Sequence, residues 1–200
     1  MVVEDIADKK LTGGIKMEFV KPIKEIETIE QVKKEMAAEG KTRERVLFIL
    51  GINSGLRISD LLNLRWKDVS EGSVKIKEQK TGKVKRFPLN SACIEALQSI
   101  QKGAANDYIF ESHSNRNGSE SKPWTRQYVW QVLNHYGALA GLGEIGTHTL
   151  RKTFAYHVFA ATKNLTLVQK LLNHSSPAIT LRYIGIEQEE LDACYTGLNL

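Results

Sequence analysis

Between Lys24 and Glu39 the apolar residues Ile26, Ile29, Val32 and Met36 recur three or four positions apart, and Gly40 closes the pattern. That spacing puts them on one face of a helix. A second helix is expected over about Thr42 to Asn53, where the unbroken run VLFIL reads as a core helix. Past Gly55, the segment SGLRISDLLNLRW starts another helix, with Ser59 as its candidate N-cap. Between Trp66 and Leu89 the period changes to two. SVKIKEQ alternates, KTGK is a turn and VKRFPL alternates again, which predicts a β-hairpin. With the stretch around Trp66–Val69 as a third strand, an antiparallel meander follows. Helices return at about Ser91–Gln101, Thr125–Ala140, Thr147–Ala161, Leu165–Leu172, Pro177–Tyr183 and Glu187–Tyr195. The polar stretch ESHSNRNGSESK, from Glu111 to Lys122, reads as an exposed loop, and residues 1–20 as a flexible lead-in. The expected class is α+β, mainly α, with one small three-stranded antiparallel sheet.

Composition narrows the function classes. Two hundred residues, 42% hydrophobic and 26% charged, suit one packed domain. Cys93 and Cys194 are too few and too far apart for a disulfide framework or a zinc site. No apolar run is long enough to span a membrane, and MVVEDIADKK is not a signal peptide, so a cytoplasmic protein is expected. The net charge of +5 is unevenly placed. Residues 65–86 carry eight basic and three acidic side chains, a local +5, whereas Glu187, Glu189, Glu190 and Asp192 leave the tail acidic. A concentrated basic stripe selects a polyanion, and a solvated hairpin face is the plain alternative.

Four short segments carry chemistry. THTLRKTF places His148 and Arg151 three residues apart at a helix start, with Thr147 as the candidate cap, so both share one face near the free N–H groups. SGLRISDLLNL presents Arg57, KTGK presents Lys80 on a turn, and LLNHSSPAITLRY presents His174 and Tyr183 with Pro177 between them. Arginine forks match phosphate oxygens, and an unperturbed tyrosine (pKa about 10) needs a base before it can attack.

Taken in order, these segments resemble the catalytic domain of the tyrosine recombinases, the phage and transposon integrases, over about residues 20–195. The resemblance implies that Arg57 and Arg151 are the two catalytic arginines and that His148 and His174 are the site histidines. It likewise implies Lys80 as the hairpin-turn lysine, Tyr183 as the nucleophile and Asp60 as a supporting acid. It further implies a 3′-phosphotyrosyl intermediate on double-stranded DNA, no cofactor or metal, and a tetramer on DNA formed from a protein that is a monomer when free. Lys75, Lys77, Lys83, Lys85, Arg86, Lys152 and Arg182 are the expected phosphate-gripping residues, and Thr125, Arg126 and Gln127 open a helix that could approach a groove. Tyr136, Tyr156 and Tyr195 are expected to pack, and His113, His135 and His157 to have no catalytic role.

Two departures accompany the resemblance. Many full members carry a separate helical DNA-binding domain first, whereas residues 21–200 here are expected to form the catalytic domain alone. Asn173 stands where glycine is common. In the tail, Ile186, Leu191, Cys194 and Leu198 could form a short amphipathic face that docks on a neighbouring protomer or on its own core. Two other readings compete. One is a non-catalytic DNA-binding protein of the same fold. The other is a metal-dependent nuclease in which Asp68, Glu78 and Lys80, spaced D-x9-E-x-K, would hold a hard cation.

Overall fold

The computed structural model describes residues 20–112, 122–185 and 196–197. Among them the elements run α1 (Ile26–Ala38), α2 (Thr42–Ser54), α3 (Ile58–Leu62), a 3-10 turn (Trp66–Asp68), β1 (Val69–Ser70), β2 (Ser73–Lys77) and β3 (Val84–Pro88). They continue as α4 (Ser91–Gln98), α5 (Arg126–Leu139), α6 (Thr147–Thr162), α7 (Leu165–Leu172) and α8 (Pro177–Ile184). The sheet is an antiparallel meander in the order β1-β2-β3. This is the mainly helical class with one small sheet that the periodicities predict. The expected lead-in (residues 1–19), the centre of the polar loop (113–121) and the expected helix Glu187–Tyr195 lie outside the described residues.

α2 earns its central place from the run VLFIL: Val46, Leu47, Phe48, Ile49 and Leu50 are all buried, and the helix packs on α1, α4 and α6. Two glycines permit the contact with α6. A Cβ on Gly51 would stand 2.6 Å from Leu150 Cδ1, and one on Gly55 would stand 2.4 Å from the Phe154 ring. Gly55 also ends α2 in the left-handed conformation, with φ +60°. A Gly55→Ala protein is therefore expected to lose about 2–4 kcal/mol, the sum of the left-handed penalty and overpacking. In a thermal melt this is a fall of roughly 4–16 °C.

Hydrophobic burial divides into two clusters. The large one spans α1–α5, the sheet and Leu150 of α6. A small one joins Ala155, Val168, Leu172 and Ile184, with Tyr183 packed on its edge. α6 contributes to both and links them.

Local chemistry moves several expected boundaries. Arg57, not Ser59, is the N-cap of α3, in an extended conformation (φ −67°, ψ 147°). Gly146, not Thr147, is the N-cap of α6, because the Thr149 hydroxyl accepts from the Gly146 N–H at 3.1 Å and closes the first turn. Ser176 and Pro177 sit at the N-cap and first turn of α8. The first strand is short because the Asp68 carboxylate accepts from the Arg65 N–H at 2.9 Å, curling Trp66–Asp68 into a turn.

Candidate active site

Strand parity decides which hairpin side chains face the site. Along β2 and beyond, Val74, Ile76 and Glu78 are buried at two-residue steps, while Lys75 and Lys77 are exposed. The register pairs Ile76 with Lys85 and Lys75 with Arg86. Lys85 therefore shares the inner face with Ile76, and Arg86 the outer face with Lys75. The basic stripe accordingly splits in two. Lys75, Lys77, Lys83 and Arg86 are exposed, with Lys75 and Arg86 directly opposite each other, a like-charge pairing that costs stability unless an anion lies over it.

Lys85 departs from the expected surface position and turns into the site. It is half-buried, its Nζ donates to Leu171 O at 3.0 Å, and it reaches the C-terminus of α7 rather than the outer face. Lys152 departs too. It is buried, donates to Val20 O at 2.7 Å and stands 5.7 Å from the centroid of the Tyr183 ring. Its place on the helical face beside Arg151 turns it inward. The side chain of Arg182 lies outside the described residues.

Two arginines meet from distant segments. Arg57 is largely shielded, and its Nη1 lies 3.0 Å from Glu78 Oε1 and 4.0 Å from Asp60 Oδ2. Arg151, one turn into α6, is 2% exposed. Its Nη1 donates to Gly55 O and its Nη2 to Leu172 O, both at 2.5 Å, so it staples the end of α2 to the end of α7. Its Nε has no hydrogen-bond partner. Asp60 is buried and holds the hairpin turn by accepting from the Gln79 N–H at 2.9 Å. Lys80 is exposed on that turn.

Tyr183, near the end of α8, brings its hydroxyl within 3.4 Å of His148 Nδ1. Its ring meets the His174 ring edge-on, with centroids 4.6 Å apart. His174 is fixed in turn by the Thr180 hydroxyl, 3.1 Å from Nδ1. Arg57, His148, Arg151, His174 and Tyr183 thus converge, and Lys80 stands at the rim.

The cations crowd one another. Burial, then the charge of Arg57, pushes Arg151 down to about 10, against the opposing effect of Tyr183, Glu78 and Asp60. Burial and the Arg151 charge push Lys85 down to about 8. Burial with Arg151 and Arg57 pushes His174 down to about 4. Loss of hydration and then Lys152, Arg151, Arg126 and Arg57 lower His148 from its ordinary value. Both histidines are therefore neutral at pH 7 and able to accept a hydrogen bond or a proton. A site of mutually destabilised cations favours an anion entering it.

Lys85→Met is expected to stabilise the DNA-free protein. The lysine carries its depressed pKa as a stability cost, and the lost hydrogen bond to Leu171 O offsets part of the gain. A net rise of about 1–2 kcal/mol is expected, or roughly 2–8 °C. The pH dependence fixes the cause. Below about 8 both folded and unfolded chains hold this proton and the cost is complete. Between there and the unfolded value of about 10.4 the unfolded chain binds more protons, so wild-type stability from this group rises with pH. The difference between the two melting temperatures should narrow over that window.

The competing nuclease set does not assemble. Asp68 is engaged in its own turn, Glu78 is buried against Arg57, and Lys80 is exposed. Among the described residues no three His, Cys, Asp or Glu side chains are grouped as metal ligands.

The sequence model of the phage integrase family matches residues 22–190. This chain belongs to the phage integrase family. It is 41% identical over 181 residues to the probable integrase/recombinase YoeC of Bacillus subtilis (strain 168), covering 90% of this chain and 97% of that relative. It is 29% identical to the tyrosine recombinase XerA of Pyrococcus furiosus, covering 86% of this chain and 61% of that relative, so it spans about three-fifths of XerA. Among solved structures, an XerA recombinase crystal structure shares the fold, with a TM-score of 0.70 and 22% identity over 90% of this chain and 64% of that one. The XerH recombinase bound to a palindromic difH substrate shares it with a TM-score of 0.66 and 23% identity, over 90% of this chain and 53% of that one.

The integrase-family departure at position 173 has a backbone reason. Asn173 ends α7 in the left-handed region, with φ +53°, a conformation that glycine and asparagine adopt at low cost. Two residues drawn into this site have other expected roles from sequence. Glu78 reads there as a candidate metal ligand and Lys85 as a phosphate-gripping residue of the hairpin, but the two-residue alternation already puts both on the same face as Val74, Ile76 and Phe87.

Proposed function

We propose that this chain is a site-specific recombinase that cuts and rejoins double-stranded DNA through Tyr183. The observation that carries the reading is the meeting of Tyr183, His148 and His174 from α8, α6 and the corner between α7 and α8, beside the buried Arg151 and the largely shielded Arg57. In the proposed step a scissile phosphate takes up the excess positive charge of Arg57, Arg151 and Lys85, and these donors stabilise the oxygens as attack adds negative charge. Neutral His148 accepts the phenol proton. The Tyr183 oxygen bonds to phosphorus while the bond from phosphorus to the 5′ oxygen breaks, and Lys80 delivers a proton to that leaving oxygen. The resulting 3′-phosphotyrosyl ester retains the bond for rejoining. The exposed Lys75, Lys77, Lys83 and Arg86 grip the DNA backbone and make binding steeply salt-dependent.

The partner is duplex DNA, bound by four protomers. Leu167, Leu171, Ile179 and Leu181, each 36–40% exposed on α7 and α8, supply apolar surface for such an assembly. No helix among the described residues is long and apolar enough to cross a membrane, and a cytoplasmic enzyme is the reading this supports.

The test uses nicked duplexes with a randomised centre, incubated with the protein in EDTA. Denaturation-resistant adducts are expected, with the DNA mapped to the α8 peptide at Tyr183 and a free 5′-hydroxyl on the departing strand. Cleavage that requires Mg2+ and leaves no adduct would overturn the reading. Tight binding with neither cleavage nor adduct would identify a non-catalytic DNA-binding protein instead.

A further inference from the structure

Glu78 has no part in the proposed reaction, yet it is 2% exposed and completely engaged. Its Oε1 accepts from Arg57 Nη1 at 3.0 Å. Its Oε2 accepts from the Thr81 hydroxyl at 2.6 Å and from Asn173 Nδ2 at 3.0 Å. Its own backbone closes the turn, with the N–H donating to Lys83 O at 2.9 Å and the carbonyl accepting from the Gly82 N–H at 2.8 Å. The three side-chain partners come from three separate segments. Arg57 begins α3, Thr81 lies beside Lys80 on the hairpin turn, and Asn173 lies beside His174 at the corner between α7 and α8.

We propose that Glu78 is a positioning residue that sets the hairpin turn bearing Lys80 and the corner bearing His174 in register with Arg57. The inference rests on the recombinase reading and deepens it. A buried carboxylate with three donors is a rigid joint, because each bond it makes restricts the other two. Burial alone would raise its pKa, but the bonds from Thr81 and Asn173 and the charges of Arg57 and Lys85 outweigh that and hold it below the ordinary glutamate value. The carboxylate therefore stays ionised, the form that can accept all three bonds. Asn173 fits this role as glycine would not, since its left-handed backbone ends the helix while its amide reaches Glu78.

Two partner substitutions separate the links. Thr81→Val releases the turn, and Asn173→Gly keeps the left-handed backbone but releases the corner. The measurement is single-turnover cleavage of a nicked duplex recovered from the randomised pool. It is made with either oxygen or sulfur as the 5′ bridging atom. A sulfur leaving group departs as a thiolate and does not need the proton that Lys80 supplies, since thiols have a pKa of about 8.5.

Losing one charge-assisted hydrogen bond is expected to slow oxygen cleavage about tenfold in each partner variant. Sulfur should restore Thr81→Val to within about threefold of wild type and leave Asn173→Gly slow. Glu78→Gln should lose about a hundredfold, with sulfur recovering the share due to the turn. Adding Thr81→Val to Glu78→Gln should slow the reaction no further, because Arg57 keeps the one amide oxygen and the NH2 group turned to Thr81 cannot accept from its hydroxyl.

Glu78→Gln cleavage within threefold of wild type on both substrates overturns the proposal. So does a Glu78→Gln loss that sulfur leaves untouched while Lys80→Ala is rescued. If Lys80→Ala itself is not rescued by sulfur, the assignment of Lys80 in the recombinase reading fails. The Asn173→Gly arm and its non-additivity with Glu78→Gln then still decide the role of Glu78. Absence of any Tyr183 adduct from the wild type rejects the recombinase reading and this proposal with it.

Discussion

A Tyr183→Phe protein is expected to bind duplex DNA as the wild type does and to form no covalent adduct with it. The substitution removes one oxygen and leaves the ring, so the edge-on contact with His174 and the packing against the small α6–α7–α8 cluster survive. Among the described residues that oxygen meets His148 Nδ1 at 3.4 Å, a long contact whose loss costs little. Stability should therefore change by no more than about 0.5 kcal/mol, and DNA affinity by less than about twofold. Adduct formation, by contrast, has lost its nucleophile. A gel-shift titration beside a denaturing adduct gel makes the comparison, and an adduct from Tyr183→Phe would reassign the nucleophile. In the wild type, the rate at subsaturating DNA should climb with pH as His148 loses its proton. Its pKa is lowered in the DNA-free protein, so the midpoint should fall below the ordinary histidine value of about 6.5. A midpoint above that value would exclude His148 as the base.

Arg151→Ala should damage both architecture and chemistry. In the wild type this guanidinium satisfies Gly55 O and Leu172 O, two buried carbonyls that alanine leaves bare at about 1–3 kcal/mol each. Relief of a cation held down to about 10 by burial and by Arg57 offsets part of that loss. A net destabilisation of about 2–4 kcal/mol follows, lowering the melting temperature by roughly 4–16 °C. At a temperature where the variant remains folded, adduct formation should still fall by at least about a thousandfold, because a preorganised donor to the phosphate is missing. Arg151→Lys tests whether charge suffices. One ammonium cannot span both carbonyls, so it should recover little of the stability and little of the rate. Full recovery with lysine would mean that the staple is dispensable.

Helix periodicity and strand alternation located nearly every described element because the core is built from regular apolar faces. α7 spans the expected Leu165–Leu172, and α2 and α6 end one residue beyond expectation. Caps were less legible, since they depend on which oxygen reaches a given N–H. Thr149 rather than Thr147 closes α6. The motif residues Arg57, His148, Arg151, His174 and Tyr183 were named from their segments, and the fold brings them together. What the motifs could not convey is how charge divides between a surface and an interior. Lys152 and Lys85 are basic like their neighbours, but helix phase and strand parity turn them inward. Glu78 resembled a metal ligand until its three donors were visible, two of them from residues more than twenty positions away.

The hairpin keeps two functions on opposite faces of the same ten-odd residues. On the proposed reading Lys75, Lys77 and Arg86 can change, and with them the strength of backbone binding, while Glu78 and Lys85 keep the reaction centre intact. DNA affinity would then be free to drift in evolution without touching catalysis. The same arrangement is brittle toward insertions. One extra residue in either strand would exchange the faces, turning the grip inward and the chemistry out to solvent.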